Sequence, residues 1–153
     1  MAYFEMLKDN GFWESMNGLL QYDMREVAEE AMEEAGEIVK EKLVAECRKY
    51  KRTGDLAVSI KADRKVGVTH DGGYIMLVRP TGKTYDLGVE GKTYGRNPPV
   101  RNAEKLAYHE YGTATQAKIP IIENAVRAAK PAVTELFQRK YEEAVDKTKG
   151  GST

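Results

Sequence analysis

The chain has 153 residues, with 24 Lys and Arg balancing 24 Asp and Glu, one cysteine and two histidines. That length suits one domain that buries roughly two-thirds of its unfolded surface, and leaves little for a second core. A formal net charge of zero provides no global field toward nucleic acid or an anionic membrane, and the single Cys47 excludes an intramolecular disulfide, which fits a reducing compartment.

Met1 to Leu7 is followed at once by Lys8, Asp9 and Asn10, too short an apolar run for a signal peptide. No stretch is fit to span a bilayer, so a soluble cytosolic chain with no membrane partner is expected. Phe12, Trp13, Met16, Leu19 and Leu20 suggest a short helix that folds back, with Gly11 and Gly18 near its limits.

From Met24 to Tyr50 the apolar residues Val27, Ala28, Ala31, Met32, Ala35, Val39, Leu43, Cys47 and Tyr50 keep the spacing of one helical face. Asp23 is placed to cap this helix. Glu26, Glu29, Glu30, Glu33 and Glu34 crowd its positive end, while Arg48, Lys49, Lys51 and Arg52 gather at its negative end, an arrangement that the helix dipole explains. Cys47 reads as a small buried apolar residue.

Gly54 stands where a helix ends in a left-handed residue, and Thr53 or Asp55 is then placed to cap a single turn through Leu56. After Ser59 the texture changes. Ile60 to Val68 and Tyr74 to Val78, joined by His70-Asp71-Gly72-Gly73, predict an antiparallel hairpin. Pro80 to Pro99 holds Gly82, Gly88, Gly91, Gly95 and Pro98 with few aliphatics, and reads as a long loop or extended flap. Its repeated Gly-Lys-Thr-Tyr, at Gly82 to Tyr85 and Gly91 to Tyr94, is either the two arms of a small hairpin or a coincidence.

Asn102 is predicted to cap a helix through Ala103, Leu106, Ala107 and Tyr111 that stops at Gly112. Pro120 suits the first position of a last helix, whose apolar phase runs from Ile122 through Ala125, Ala129, Val133, Leu136 and Tyr141 to Val145. A proline inside a straight helix costs about 3 kcal/mol, so a kink or brief break is expected at Pro131. Residues 1–147 are read as one domain with a flap at 80–100, and residues 148–153 as a flexible tail.

Motifs for chemistry are few. Gly82-Lys83-Thr84 and Gly91-Lys92-Thr93 have the end of a phosphate-binding loop, but the earlier glycine it requires is replaced by Leu77 and Asp86. His109-Glu110 lacks a nucleophile to serve. His70-Asp71 lacks the third and fourth ligands that zinc needs, so a helix-surface histidine and a turn histidine are the simpler readings. No cofactor, metal or catalytic residue is expected. The cluster Arg48, Lys49, Lys51 and Arg52, with Tyr50 inside it, could contact phosphates by charge and stacking, although a helix end explains it without DNA.

Three separated stretches, taken together, resemble one family. Arg52-Thr53-Gly54-Asp55-Leu56 through Ser59-Ile60, Arg101-Asn102-Ala103-Glu104 leading into His109-Glu110-Tyr111-Gly112-Thr113, and Ile119-Pro120-Ile121 through Ala125 follow the order and spacing of motifs in the tail-component (tail-completion, or neck) proteins of long-tailed bacteriophages and prophages. The resemblance spans roughly Lys40 to Lys130. It implies an α+β fold, a small twisted antiparallel sheet packed against a long N-terminal helix and a kinked C-terminal helix. It also implies a structural role: a ring, most often sixfold, at the head-proximal end of the tail, between head connector and tail tube or terminator, assembled in the bacterial cytoplasm and carried in the virion. Thr53, Gly54, Leu56, Ser59, Ile60, Glu110, Tyr111, Gly112, Thr113 and Pro120 would then be fold determinants. Leu56 and Ile60 would bury against the long helix, and Glu110 to Thr113 would turn the chain across the sheet. Tyr85, Leu87, Val89 and Tyr94 would be candidates for the oligomer interface, against the alternative of a flap that contacts nothing. A nucleic-acid-binding module using Arg48 to Arg52 is the rival reading.

Overall fold

The computed structural model describes residues 25–50, 54–84 and 100–150. The predicted upstream helix, Asp23, Lys51, Arg52 and Thr53 lie outside them. Helix α1, Arg25–Lys49, occupies the predicted long helix and buries Ala31, Ala35, Leu43 and Cys47 along the expected face. Gly36 and Glu46 are buried as well. Gly36 lies under Met76, whose Cγ would be 2.9 Å from any Cβ added there, so the bare backbone admits the hairpin. Glu46 is held by the Nζ of Lys49 one turn on.

Gly54 takes the left-handed conformation expected of it, with φ at 87°, and directly precedes the short helix α2, Asp55–Ser59. Asp55 is therefore the first residue of α2 and not a cap, and the turn runs past Leu56 to Ser59. α1 itself ends earlier, at Lys49, so Gly54 serves as the residue before α2 and not as the stop of the long helix.

Strand β1, Ile60–Ala62, follows, then β2, Gly67–Val68, β3, Tyr74–Ile75, and β4, Val78–Pro80. The predicted hairpin is present but broken. β1 pairs antiparallel with β4 and β2 with β3, yet from Ala62↔Val78 to Gly67↔Ile75 one arm advances five residues and the other three. Asp63 still donates its N–H to the Leu77 carbonyl at 2.8 Å, and the two surplus residues fall at the bend of Arg64 and Lys65, neither a β-former. Strand β5, Lys83–Thr84, pairs with β6, Val100–Arg101, so the two roots of the flap are tied together. Tyr85, Leu87, Val89, Tyr94 and the second Gly-Lys-Thr-Tyr lie outside the described residues.

Helix α3, Asn102–Tyr111, starts one residue before its prediction. Arg101 holds the cap position, and the predicted cap Asn102 is an almost fully buried first helical residue. Its Nδ2 donates to the Thr81 carbonyl, just past β4, at 2.8 Å, so the side chain ties the helix start to the strand end. Gly112 ends α3 as predicted, at φ 78°, with its N–H on the Tyr108 carbonyl.

Helix α4, Ile121–Gly150, begins just after Pro120. The Pro120 carbonyl accepts from the Asn124 N–H at 3.0 Å, which makes Pro120 the cap and not the first helical residue. No break occurs at Pro131. That residue is exposed, on the side where a carbonyl deprived of its partner can be hydrated, while Ala129 and Val133 bury on the other side. The helical backbone continues to Gly150, beyond Lys147.

α1 and α4 lie antiparallel along one another. At one end Leu43, Cys47, Ala57, Ile60, Leu106, Ile121 and Ala125 form a buried cluster, supported by Leu56, Val78, Ile119 and Ile122. At the other, Ala35 faces Ala129, Val133 and Leu136, flanked by Ile38, Val39 and Phe137. Small residues on both helices let the backbones approach closely. The architecture is α+β: long N- and C-terminal helices with small antiparallel two-stranded ladders on one side of α1.

Candidate functional site

The first cluster unites all three motif stretches. Leu56 and Ile60 from the first pack with Leu106 of α3 and with Ile119, Ile121 and Ala125 of the third, over Leu43 and Cys47 of α1. Hydrogen bonds lock the same corner. The Ser59 Oγ donates to the Leu56 carbonyl at 2.7 Å, and the Ser59 carbonyl accepts both the N–H and the Oγ1 of Thr81, at 2.8 and 2.9 Å. Thr81 in turn holds Asn102, whose N–H bonds the Gly82 carbonyl at 3.1 Å, so the flap roots are anchored directly to this node.

Glu110 has a specific duty there. Its carboxylate accepts the N–H groups of Ile122 at 2.7 Å and Glu123 at 3.3 Å, satisfying two unpaired donors at the start of α4 and setting a negative charge on that helix's positive end. His109 holds the same loop. Its Nδ1 lies 3.0 Å from the Gln116 Nε2, and its carbonyl accepts the Ile119 N–H at 2.6 Å. The pair imagined as acid and base is thus engaged in closing the α3–α4 turn. Gly112 ends α3 and opens the turn that leads to α4, the helix that packs along α1. Thr113 closes that turn by exchanging backbone bonds with Gln116, and Tyr111 is left largely exposed.

His70 and Asp71 stand fully exposed in the β2–β3 turn, 3.6 Å apart. Among the described residues no three His, Cys, Asp or Glu side chains are grouped to hold a metal, and no helix is long and apolar enough to cross a membrane. Cys47 is walled in, and burial, aided by the neighbouring Glu46 carboxylate, pushes its thiol from 9.0 to about 11. It is an inert core residue at neutral pH.

Of the basic cluster, Arg48 and Lys49 are described and exposed, with Tyr50 beside them. Lys49 is committed to Glu46, whose hydrogen bond raises the lysine pKa.

The acidic half of α1 does more than oppose a dipole, whose influence fades beyond the first turn. Lys140 of α4 reaches Glu34 at 2.6 Å and Glu30 at 3.4 Å, and Arg139 lies 3.6 Å from Glu34. Glu34 above all raises the Lys140 pKa. Beside these pairs a groove of about 570 Å³ opens between the helices, with Ile38, Ala132 and Leu136 as floor and Glu33, Glu34, Glu37, Glu135 and Arg139 as walls. Sequence reading missed it. The available signal was that glutamates continue to Glu37, well past the turn a dipole rewards.

Compared with known proteins, the chain matches no family model, and no curated protein or solved structure is similar enough to count as a relative.

Proposed function

We propose that the protein is a structural component of a long-tailed phage or prophage tail, one that self-associates into a ring at the head-proximal end and joins connector to tail tube or terminator by binding alone. One observation supports this reading above the others. The three stretches that carry the family resemblance are far apart in sequence, yet Leu56, Ile60, Ile119 and Ile121 meet in one cluster and Glu110 caps the helix that the third stretch opens. Residues that converge on one node are fold determinants, and a rigid node carrying an anchored flap is what a ring subunit needs in order to present one patch to the next.

In this reading the flap residues Tyr85, Leu87, Val89 and Tyr94 supply one ring contact. The test has two parts. Light scattering coupled to size exclusion, over a range of concentrations and with added tails lacking this protein, is expected to give a ring-sized species or co-elution with the tails. A chain that stays monomeric and ignores the tails refutes the proposal. Deleting Tyr85 to Tyr94, while keeping Lys83–Thr84 paired with Val100–Arg101, is expected to leave a folded monomer. A deletion variant that assembles normally removes the flap from the interface.

A further inference from the structure

We infer that the acidic groove between α1 and α4 receives the basic C-terminal end of α1, Arg48 to Tyr50, from a second copy of the chain, giving a head-to-tail contact. The inference rests on the self-association proposed above and names the surface that carries it.

The groove has the two properties a docking surface for such an end requires. Its floor, Ile38, Ala132 and Leu136, is apolar, and its walls carry four glutamates against one arginine. The walls are unequally occupied. Glu34 is neutralised by Lys140 and Arg139, and Glu37 by Lys40 at 2.7 Å, whereas Glu33 and Glu135 make no ion pair among the described residues. Two carboxylates on opposite helices therefore flank an apolar floor and await cations.

The same chain presents the complement. Arg48 is exposed and forms no ion pair among the described residues, and Tyr50, in the turn that follows the helix, is 42% exposed. A cation and an aromatic ring at one helix end match a carboxylate rim around an apolar floor. No subunit can satisfy itself. Glu37 and Arg48 lie eleven residues apart on one continuous helix, a rise of about 16 Å, so the basic end must enter the groove of another copy. Donor and acceptor patches differ, which makes the contact heterologous, the kind that propagates into rings or filaments. A net charge of zero, split into an acidic and a basic end, lets copies approach without mutual repulsion.

The experiment measures self-association of the full chain by light scattering at low and high salt, for the wild type and two charge-reversal variants. Glu33→Lys with Glu135→Lys makes the groove basic, and Arg48→Glu makes the knob acidic; all three positions are exposed, and circular dichroism verifies that the fold is kept. Wild-type association is expected to weaken with salt, and each variant alone is expected to associate roughly tenfold or more weakly. Mixing the two variants restores both complementary faces, and is expected to bring association back. Association that ignores both variants, or a mixture that fails to recover, overturns the inference while leaving the ring proposal standing. A wild type that stays monomeric in low salt also overturns it, and the tail co-elution experiment then decides the ring proposal separately.

Discussion

The two ends of the α1–α4 pair are built from different materials. Around Leu43 and Cys47, five elements converge, and burial is joined by Glu110 on the start of α4, Asn102 on Thr81 and Thr81 on Ser59. Around Ala35 the buried contacts are chiefly between the two helices, through alanines, Val133 and Leu136, with Met76 of the hairpin over Gly36, and across them run Lys140 and Arg139 to Glu30 and Glu34. The first end is held by contacts that water cannot replace. The second is held by thin packing and by exposed charge, which salt screens. In the structural role proposed above, the node would fix the fold and the other end would be left open to bind.

Substitutions at each end can break that contrast. Ile121→Ala, at a residue with no exposed surface in the centre of the node, is expected to cost about 2–5 kcal/mol in denaturant unfolding. A loss below 1 kcal/mol would mean that the node is not where stability lies. Gly112→Ala comes next. Its φ of 78° costs a side chain about 1–2 kcal/mol, and the new Cβ would stand 2.9 Å from the Gln116 carbonyl oxygen, an added clash that Gly54, with open space around it, would not suffer. The thermal midpoint of Gly112→Ala should therefore drop further than that of Gly54→Ala.

Glu110→Ala removes the acceptor for two amides and is expected to cost about 1 kcal/mol. Amide exchange would sharpen the assignment, since the loss should appear first at Ile122 and Glu123. At the other end, Lys140→Met keeps the stem and deletes the charge, and is expected to change stability by less than about 1 kcal/mol while abolishing part of its salt dependence. Were it to cost as much as Ile121→Ala, the contrast between the ends would fall.

The last effect is invisible at neutral pH. The Cys47 thiol is raised from 9.0 to about 11 on folding, so above pH 9 the unfolded chain loses its proton while the folded chain keeps it. Stability is thus complete below pH 9 and falls as pH rises toward about 11. A Cys47→Ala variant should lack that fall, as read from unfolding curves across the range.

Much of the fold was legible in the sequence. The boundaries of α1, the left-handed conformation of Gly54, the stop at Gly112 and the burial of Ile60 follow from periodicity, the missing Cβ of glycine and β-propensity, all local properties. Caps were read less well. Asn102 carries the signature of an N-cap, yet it is drawn to Thr81, because which acceptor lies nearest a side chain depends on a strand end twenty-one residues away. The hairpin's bulge and the ladder at the flap roots were likewise set by pairings between distant residues.

The candidate surfaces divide in the same way. From its residues alone the chain determined a charge-segregated helix, a basic end, one inert thiol and the positions of the motif residues, since composition and helical phase are written in order along the backbone. Only the tertiary structure decided that Glu110 caps α4, that Glu30 and Glu34 meet Lys140, and that Glu33 and Glu135 line one groove with Ile38 and Leu136. The physical reason is that a groove is a property of two helices laid side by side, and their register is chosen by the node at the opposite end, where most of the burial lies.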